Sequence, residues 1–416
     1  MTAVAAPLSP LPLHDLPRRD TASTAPMHRP TINALQIGVS WFAEKPGGLD
    51  RYFCELLNHL PEVDVIGRGY VMGSERVQRE SQGTVVAAAE SDASMWARWS
   101  AIRRHVGAEM ATGGVSLVAA HHSLYTCPVL SLIKGVPLVV HFHGPFAAES
   151  SAENSKFVQN SVKHMMERAV YSRAVRCITL SKAFATILHE SYGVPTNKIR
   201  IVPGAVETAR FDPPETKVQA RQRLGWPTDR PIAFSVRRLY RRMGLENLID
   251  AVQTVRQRVP DTLVMIAGTG WMADELRRQI KAAKLQEHVK LMGFIPDADL
   301  PVAYRAADLT VVPSVSLEGF GLTTVESMAA GTPVIVTPVG GSPEVVGGLS
   351  PDMIVPDWTP AALAAAISAA LRGELKLPNS DRCKEFARQN FDWAAVTQKV
   401  RAVYDEALAV AHPEAA

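Results

Sequence analysis

The chain has 416 residues, more than one ordinary core holds and enough for two domains of about 150–200 residues each. With 47% hydrophobic and 20% charged residues it has the composition of a globular protein, and Lys+Arg 44 against Asp+Glu 41 lacks the basic excess of a general nucleic-acid binder. Cys54, Cys127, Cys177 and Cys383 are scattered and form no C-x-x-C pair, which speaks against a zinc ribbon or disulfide framework and fits reduced thiols in a cytoplasmic protein.

Residues 1–31 are rich in Pro, Ala, Ser and Thr and lack the basic start and unbroken apolar stretch of a secretion signal; they read as a flexible leader. No apolar run reaches the roughly eighteen residues of a membrane-spanning helix. Leu35, Ile37, Val39 and Trp41 alternate as a strand does, Pro46, Gly47 and Gly48 break it, and Leu49, Tyr52, Phe53, Leu56, Leu57 and Leu60 then recur at helical spacing. Further strands are predicted at 115–120, 137–141, 177–180 and 199–202. Helical segments lie between most of them, the pattern of a parallel sheet covered on both faces. After Pro213 and Pro214 a second series predicts strands at 231–236, 262–267, 289–293, 309–313, 333–337 and 353–356, and Thr359 before Pro360 caps a helix. The chain therefore reads as α/β, with doubly wound units at 32–208 and 209–392. A last helix within 393–416 is expected to pack back toward the first unit.

The strongest chemical signal is Glu318-Gly319-Phe320-Gly321-Leu322-Thr323-Thr324-Val325-Glu326, just after the predicted strand 309–313. Open α/β sheets place their ligands at such strand ends. The glycines let backbone amides approach a ligand, and the following helix points its positive end at the same spot. Two carboxylates beside such an anion nest suit a ligand with phosphates and hydroxyls, such as a sugar nucleotide. Gly47 and Gly48 sit where a phosphate-cradling turn belongs, although the G-x-G-x-x-G fingerprint of nicotinamide enzymes is absent there and Gly268-Thr269-Gly270 is only half of it. His143 follows a predicted strand, whereas His141 reads as a core histidine. The adjacent His121 and His122 point to opposite faces and make no metal pair. Arg237, Arg238, Arg241 and Arg242 form a basic knot that could meet a departing diphosphate. Asp297-Ala298-Asp299 precedes a predicted helix and reads as a cap.

Taken in order, the Gly47-Gly48 loop, His143-Gly144, Ser181, Val202-Pro203-Gly204, Arg238-Leu239, Gly268-Thr269-Gly270, Gly293-Phe294-Ile295-Pro296, the Glu318 to Glu326 element and Gly340-Gly341 resemble the retaining GT-B glycosyltransferases of family four. The resemblance runs from Leu35 to Ala409 and implies two Rossmann-like domains facing each other across a cleft. It places Glu318 and His143 on the donor sugar, Glu326 on the ribose hydroxyls, and the backbone of Phe320, Gly321, Leu322 and Thr323 on sugar and diphosphate. Gly47, Gly48, Gly268, Phe294 and Ile295 complete the donor-binding set, with Arg238 and Arg242 as cations for the leaving group and no metal or other cofactor. One position departs from the family's R-L-x-x-x-K-G: Met243 stands where the lysine belongs, and Arg242 is the expected replacement.

The implied activity is transfer of a hexosyl group, with retention, from a UDP- or GDP-sugar to a glycan, lipid-linked or small-molecule acceptor. A catalytically weak nucleotide-sugar-binding partner subunit and a GT-B epimerase are the alternatives. Arg98, Arg103, Arg104 and Lys163 are compatible with a solvated face or with peripheral contact at the inner face of an anionic membrane.

Overall fold

The computed structural model describes residues 30–45, 47–146 and 157–411, with the backbone alone at 157–159. The expected leader, apart from Pro30 and Thr31, lies outside them, as do residues 412–416.

The first unit holds β1 (Ile32–Ser40), β2 (Val65–Ile66), β3 (Gly69–Met72), β4 (Val85–Ala89), β5 (Leu117–Ala120), β6 (Leu138–Phe142), β7 (Arg176–Thr179) and β8 (Ile199–Ile201). They run parallel in the order β4-β3-β1-β5-β6-β7-β8, with β2 beside the start of β1. The second holds β9 (Ile232–Val236), β10 (Leu263–Ala267), β11 (Val289–Gly293), β12 (Leu309–Val312) and β13 (Val334–Val336), parallel in the order β11-β10-β9-β12-β13.

Side-chain alternation divides each sheet between two cores. Leu117 and Ala119 enter one apolar cluster while Val118 and Ala120 enter the other. Likewise Leu263, Met265 and Ala267 part from Val264 and Ile266. Burial on both faces is why these strands read as unbroken apolar runs rather than as alternating ones.

Two local readings need correction. Residues 353–356 form no strand: a 3-10 turn, Pro351–Met353, leads to a single bridge between Ile354 and Val336. Pro356 ends this stretch and Pro351 lies just before it, and proline cannot donate to a ladder. The short strands β2, β3 and β4 were not predicted; β2 has two residues and β3 four, too few to show a period.

The chain crosses between the units twice, side by side. Val206 N–H donates to Phe391 O at 2.9 Å, and the Thr208 hydroxyl bonds Asp392. The last helix, Trp393–Ala411, then covers the first sheet, where Trp393, Val396, Val400 and Tyr404 join Ile32, Tyr52, Val139 and Ile178 in one cluster. Arg401, fully buried, fastens this helix by donating to the carbonyls of Val63 (2.8 Å), Asp64 (3.1 Å) and Pro30 (2.8 Å).

Candidate functional site

Strand order reverses at β1/β5 in the first sheet and at β9/β12 in the second, and such switch points open crevices beyond the strand ends. The segments after those ends line one cleft of about 1170 Å³ between the units. All fourteen residues named as site candidates lie on its wall: Gly47, Gly48 and His143 from the first unit, and Arg238, Arg242, Gly268, Phe294, Ile295, Glu318, Phe320, Gly321, Leu322, Thr323 and Glu326 from the second.

The second unit's wall is built around a loop between β12 and the helix Leu322–Ala329. Gly321 starts that helix at φ +82, a left-handed conformation that glycine adopts without strain. Arg242 holds the loop twice: its guanidinium donates to Leu317 O at 2.9 Å, and its own carbonyl accepts from Val315 N–H at 3.0 Å. Arg241, its neighbour in the basic knot, turns outward to Glu246 and Glu275 and stacks over Trp271. Met243 is buried in the second unit's core and edges the cleft.

The basic knot is distributed differently from its sequence reading. Arg238 is exposed over the Tyr240 ring, 5.0 Å from its centroid. Arg237 is the buried member: it ion-pairs with Glu318 and donates to Ser314 Oγ at 2.6 Å and to Thr323 Oγ1 at 3.4 Å. No period in β9 marks it, because Ile232, Ala233, Phe234 and Ser235 are all buried and both faces of the strand are covered. Gly268 makes room for it, because a Cβ there would stand 1.9 Å from Arg237 O. Glu318 also accepts from Ser314 Oγ at 2.7 Å. Burial raises its pKa, but Arg237, the Ser314 hydroxyl and Arg242 together outweigh burial and hold it below the ordinary value.

Glu326 is buried inside the helix Leu322–Ala329 and accepts from the Tyr304 hydroxyl at 2.8 Å. Burial raises its pKa, only partly offset by Arg51 and Tyr304. Arg51 comes from the first unit's helix Gly48–His59 and spans the cleft to ion-pair with Asp297, which also pairs with Arg210. Asp297 was expected to cap a helix; it is a bridge between units instead. Asp299, at the cap position of Leu300–Ala306, makes no side-chain cap bond and pairs with Arg223. The Asp297 carboxylate is thus engaged by two arginines.

Across the cleft, His143 follows β6, and behind it stand His121 and His141, both 2% exposed. Ring nitrogens of these three lie within 4.8 Å of one another, a spacing that raises the question of a metal. His122 turns away, and its Nδ1 accepts from Leu124 N–H at 3.1 Å to cap the helix Ser123–Thr126. Burial depresses the imidazoles: His122 to about 4, His143 to about 3, and His121 and His141 well below the ordinary range. All four are therefore neutral at pH 7, so His143 can give or take one hydrogen bond but brings no charge.

The site thus offers backbone amides at a helix start, cationic arginines, two buried carboxylates and a neutral imidazole around one cavity. Glycosyl transferases group 1 is the family whose model matches residues 217–390, and Glycosyltransferase Family 4 matches residues 46–210. The chain is 30% identical over 306 residues to a D-inositol 3-phosphate glycosyltransferase of Segniliparus rotundus, covering 70% of this chain and 66% of that protein. It is 28% identical over 252 residues to 2-deoxystreptamine glucosyltransferase of Streptomyces kanamyceticus, covering 60% of this chain and 65% of that protein. The matched stretches thus span about two thirds of the length of these curated relatives. A sucrose-phosphate synthase from Thermosynechococcus elongatus superposes with TM-score 0.72 at 22% identity, over 91% of this chain and 100% of that one. Anabaena HepE, solved in complex with UDP, gives 0.73 at 20% identity, over 90% and 100%. Two parallel sheets facing each other across a cleft, together with both family matches, make this chain a member of the group 1, family four glycosyltransferases of the GT-B fold.

Proposed function

We propose that the protein transfers a hexosyl group from a nucleoside-diphosphate sugar, UDP- or GDP-linked, to a glycan, lipid-linked or small-molecule acceptor with retention at the anomeric carbon. The observation that carries this reading is the juxtaposition, in one cleft, of the glycine-led start of Leu322–Ala329 with two buried carboxylates and a row of arginines. Anabaena HepE, of the same fold, has been solved with UDP and glucose.

Glu326 anchors the ribose hydroxyls, and Glu318 and His143 orient the sugar. The bond from the anomeric carbon to the diphosphate oxygen breaks with its electron pair leaving on the diphosphate. Arg238, Arg242, the Gly47 and Gly48 amides and the helix start at Leu322 receive that charge. The acceptor hydroxyl attacks on the same face and passes its proton to the departing phosphate oxygen. Arg237 sets Glu318 in place rather than meeting the diphosphate, since its guanidinium is spent on Glu318 and Ser314. No step calls for a metal, because cations and amides supply the charge.

Hydrolysis of a panel of UDP- and GDP-sugars, read alongside protection against thermal melting, tests the reading. At least one donor is expected to be turned over and to raise the melting temperature. A panel that is bound but never hydrolysed or transferred points to the partner-subunit alternative. Within an active pair, Arg242→Ala is expected to lower turnover by about 100-fold, as when one transition-state donor is removed, with partial recovery on adding Met243→Lys. Turnover at the wild-type rate in Arg242→Ala would place the second cation elsewhere.

A further inference from the structure

Behind His143, four side chains from three strand segments and the last helix join it in one hydrogen-bonded chain, and the donor-site roles above assign nothing to those four. Gln36 comes from β1, His121 from the end of β5, His141 and His143 from β6 and the turn after it, and Tyr404 from the helix Trp393–Ala411. His143 Nε2 lies 3.3 Å from His121 Nδ1, and His121 Nε2 lies 2.9 Å from Gln36 Oε1. Gln36 Nε2 donates to the Tyr404 hydroxyl at 3.4 Å, and that hydroxyl lies 2.8 Å from His141 Nε2.

The ring geometry decides between a metal and a proton as the thing shared. The His121 and His143 centroids are 5.6 Å apart with planes within 18°, and their bonded nitrogens are 3.3 Å apart. The difference is two ring radii laid end to end, so the rings lie side by side in a common plane, as an N–H···N hydrogen bond requires. His141 is stacked on His121 instead, with centroids 4.3 Å apart and planes within 20°. Its in-plane lone pair runs alongside those of the other two rather than converging with them, whereas metal ligands must converge on one point.

The sense of the chain follows from Gln36, whose amide accepts at one atom and donates at the other. With Oε1 on His121, the His121 proton sits on Nε2 and its Nδ1 is an acceptor. His143 must then donate from Nε2. On the other side, Gln36 donates to Tyr404, Tyr404 donates to His141 Nε2, and the His141 proton is left on Nδ1, the one ring nitrogen of the chain that is buried without a partner. Among the described residues His143 Nδ1 meets no hydrogen-bond partner, and His143 lines the cleft.

We propose that Gln36, acting through His121, fixes His143 as the tautomer protonated on Nε2, so that its bare Nδ1 meets the donor as a hydrogen-bond acceptor for a sugar hydroxyl. Gln36 and His121 are then positioning residues for His143, and Tyr404 ties their orientation to the last helix. This rests on reading the cleft as the donor-sugar site.

The test is read on the unreacted full chain. In protein labelled with 15N-histidine, long-range proton–nitrogen spectra at neutral pH distinguish a neutral Nε2–H ring, a neutral Nδ1–H ring and an imidazolium. The His143 signals are identified by their loss in His143→Gln. Wild type is expected to show Nε2–H at His143. His121→Phe, which keeps the stacking but removes the acceptor, should give a tautomer mixture, and His121→Asn, whose amide oxygen stands near the imidazole Nδ1, should restore the single form. An Nδ1–H ring or an imidazolium at His143 in wild type overturns the proposal, as does an unchanged tautomer in a folded His121→Phe. With UDP-glucose and GDP-mannose as probes, His121→Phe should lower kcat about tenfold with little change in KM, the loss of about one hydrogen bond, and His121→Asn should recover it. If wild type turns over neither probe, the donor reading loses support, while the tautomer measurement still decides this proposal.

Discussion

Arg237 and Glu318 form a buried ion pair, both under 10% exposed, and removing one partner strands the other. Arg237→Met is therefore expected to destabilise the protein by about 3–5 kcal/mol, and adding Glu318→Gln should recover most of that loss, which denaturant titration of the two variants measures. Additive losses would mean that the pair is not coupled. Glu326 raises a similar issue, because Glu326→Ala would strand the fully buried Tyr304 hydroxyl and confuse folding with binding. Glu326→Gln keeps an acceptor for Tyr304 while removing the charge. It should melt close to wild type yet bind nucleotide roughly tenfold more weakly by calorimetric titration, the difference between charged and neutral hydrogen bonds. Equal affinity would remove Glu326 from the site. Sequence spacing brought out both carboxylates but not Arg237 as the buried partner of Glu318, because adjacent arginines at a strand end look alike until burial separates them.

Asp297 connects elements that are far apart in the chain: Arg51 on the helix Gly48–His59 and Arg210 on the first crossing between units. Its side chain is 41% exposed against 15% for Arg51, so solvent screening discounts these pairs to the order of 1 kcal/mol or less in total. Asp297→Asn should therefore shift the melting midpoint only slightly. Since the carboxylate is engaged by arginines, turnover should also persist in a chelator. Loss of activity in EDTA that manganese restores would give the Asp297-Ala298-Asp299 segment a metal role. Basic residues on the first unit's surface are tied locally in the same way: Arg98 donates to Tyr125 Oη at 2.8 Å, Arg103 to Pro128 O, and Lys163 sits 4.5 Å from the Phe146 centroid. Among the described residues no helix is long and apolar enough to cross a membrane.

For the molecule as a whole, the buried histidines predict acid sensitivity. Burial holds His121, His122, His141 and His143 below their ordinary value of 6.5 in the folded state. As pH falls through that value the unfolded chain takes up protons that the folded chain refuses, so stability present above it is lost below it. Each such proton contributes about 1.4 kcal/mol per pH unit. Asp50 opposes them, because burial raises it to about 6 and the folded state then keeps a proton that an unfolded aspartate releases near 3.8. Glu55, Glu246 and Glu326 are raised too and oppose them in the same way, while His105 is lowered and adds to them. Five imidazoles thus stand against four carboxyls that titrate lower, and the sign is unchanged. Thermal melts should show a midpoint falling steadily from about pH 7 to about pH 5, and an unchanged midpoint over that range would mean that these imidazoles are not buried neutral.

The two-unit α/β architecture, most of the strands and the wall residues of the cleft from Gly47 to Glu326 were legible in the amino-acid order. Wall residues such as Gly268, Phe294 and Ile295 came from the family resemblance. The architecture and strands are written in local period and glycine placement, as apolar runs of strand length, helical stripes between them and turns at strand ends. Short pieces escaped it. β2 is too brief to carry a period, and 353–356 looked like a strand although Pro356 cannot donate to a ladder. Which of two neighbouring side chains is buried, and what it meets, depends on the assembled fold. Arg237 meets Glu318 and Asp297 meets Arg51, 81 and 246 residues away in sequence. Gln36, His121, His143 and Tyr404 come from strand ends and a terminal helix that nothing in their spacing links. The physical reason is common to all of them: a buried polar group must find a partner wherever the packing brings one, and that partner is fixed by how the sheets and the last helix are assembled rather than by local pattern.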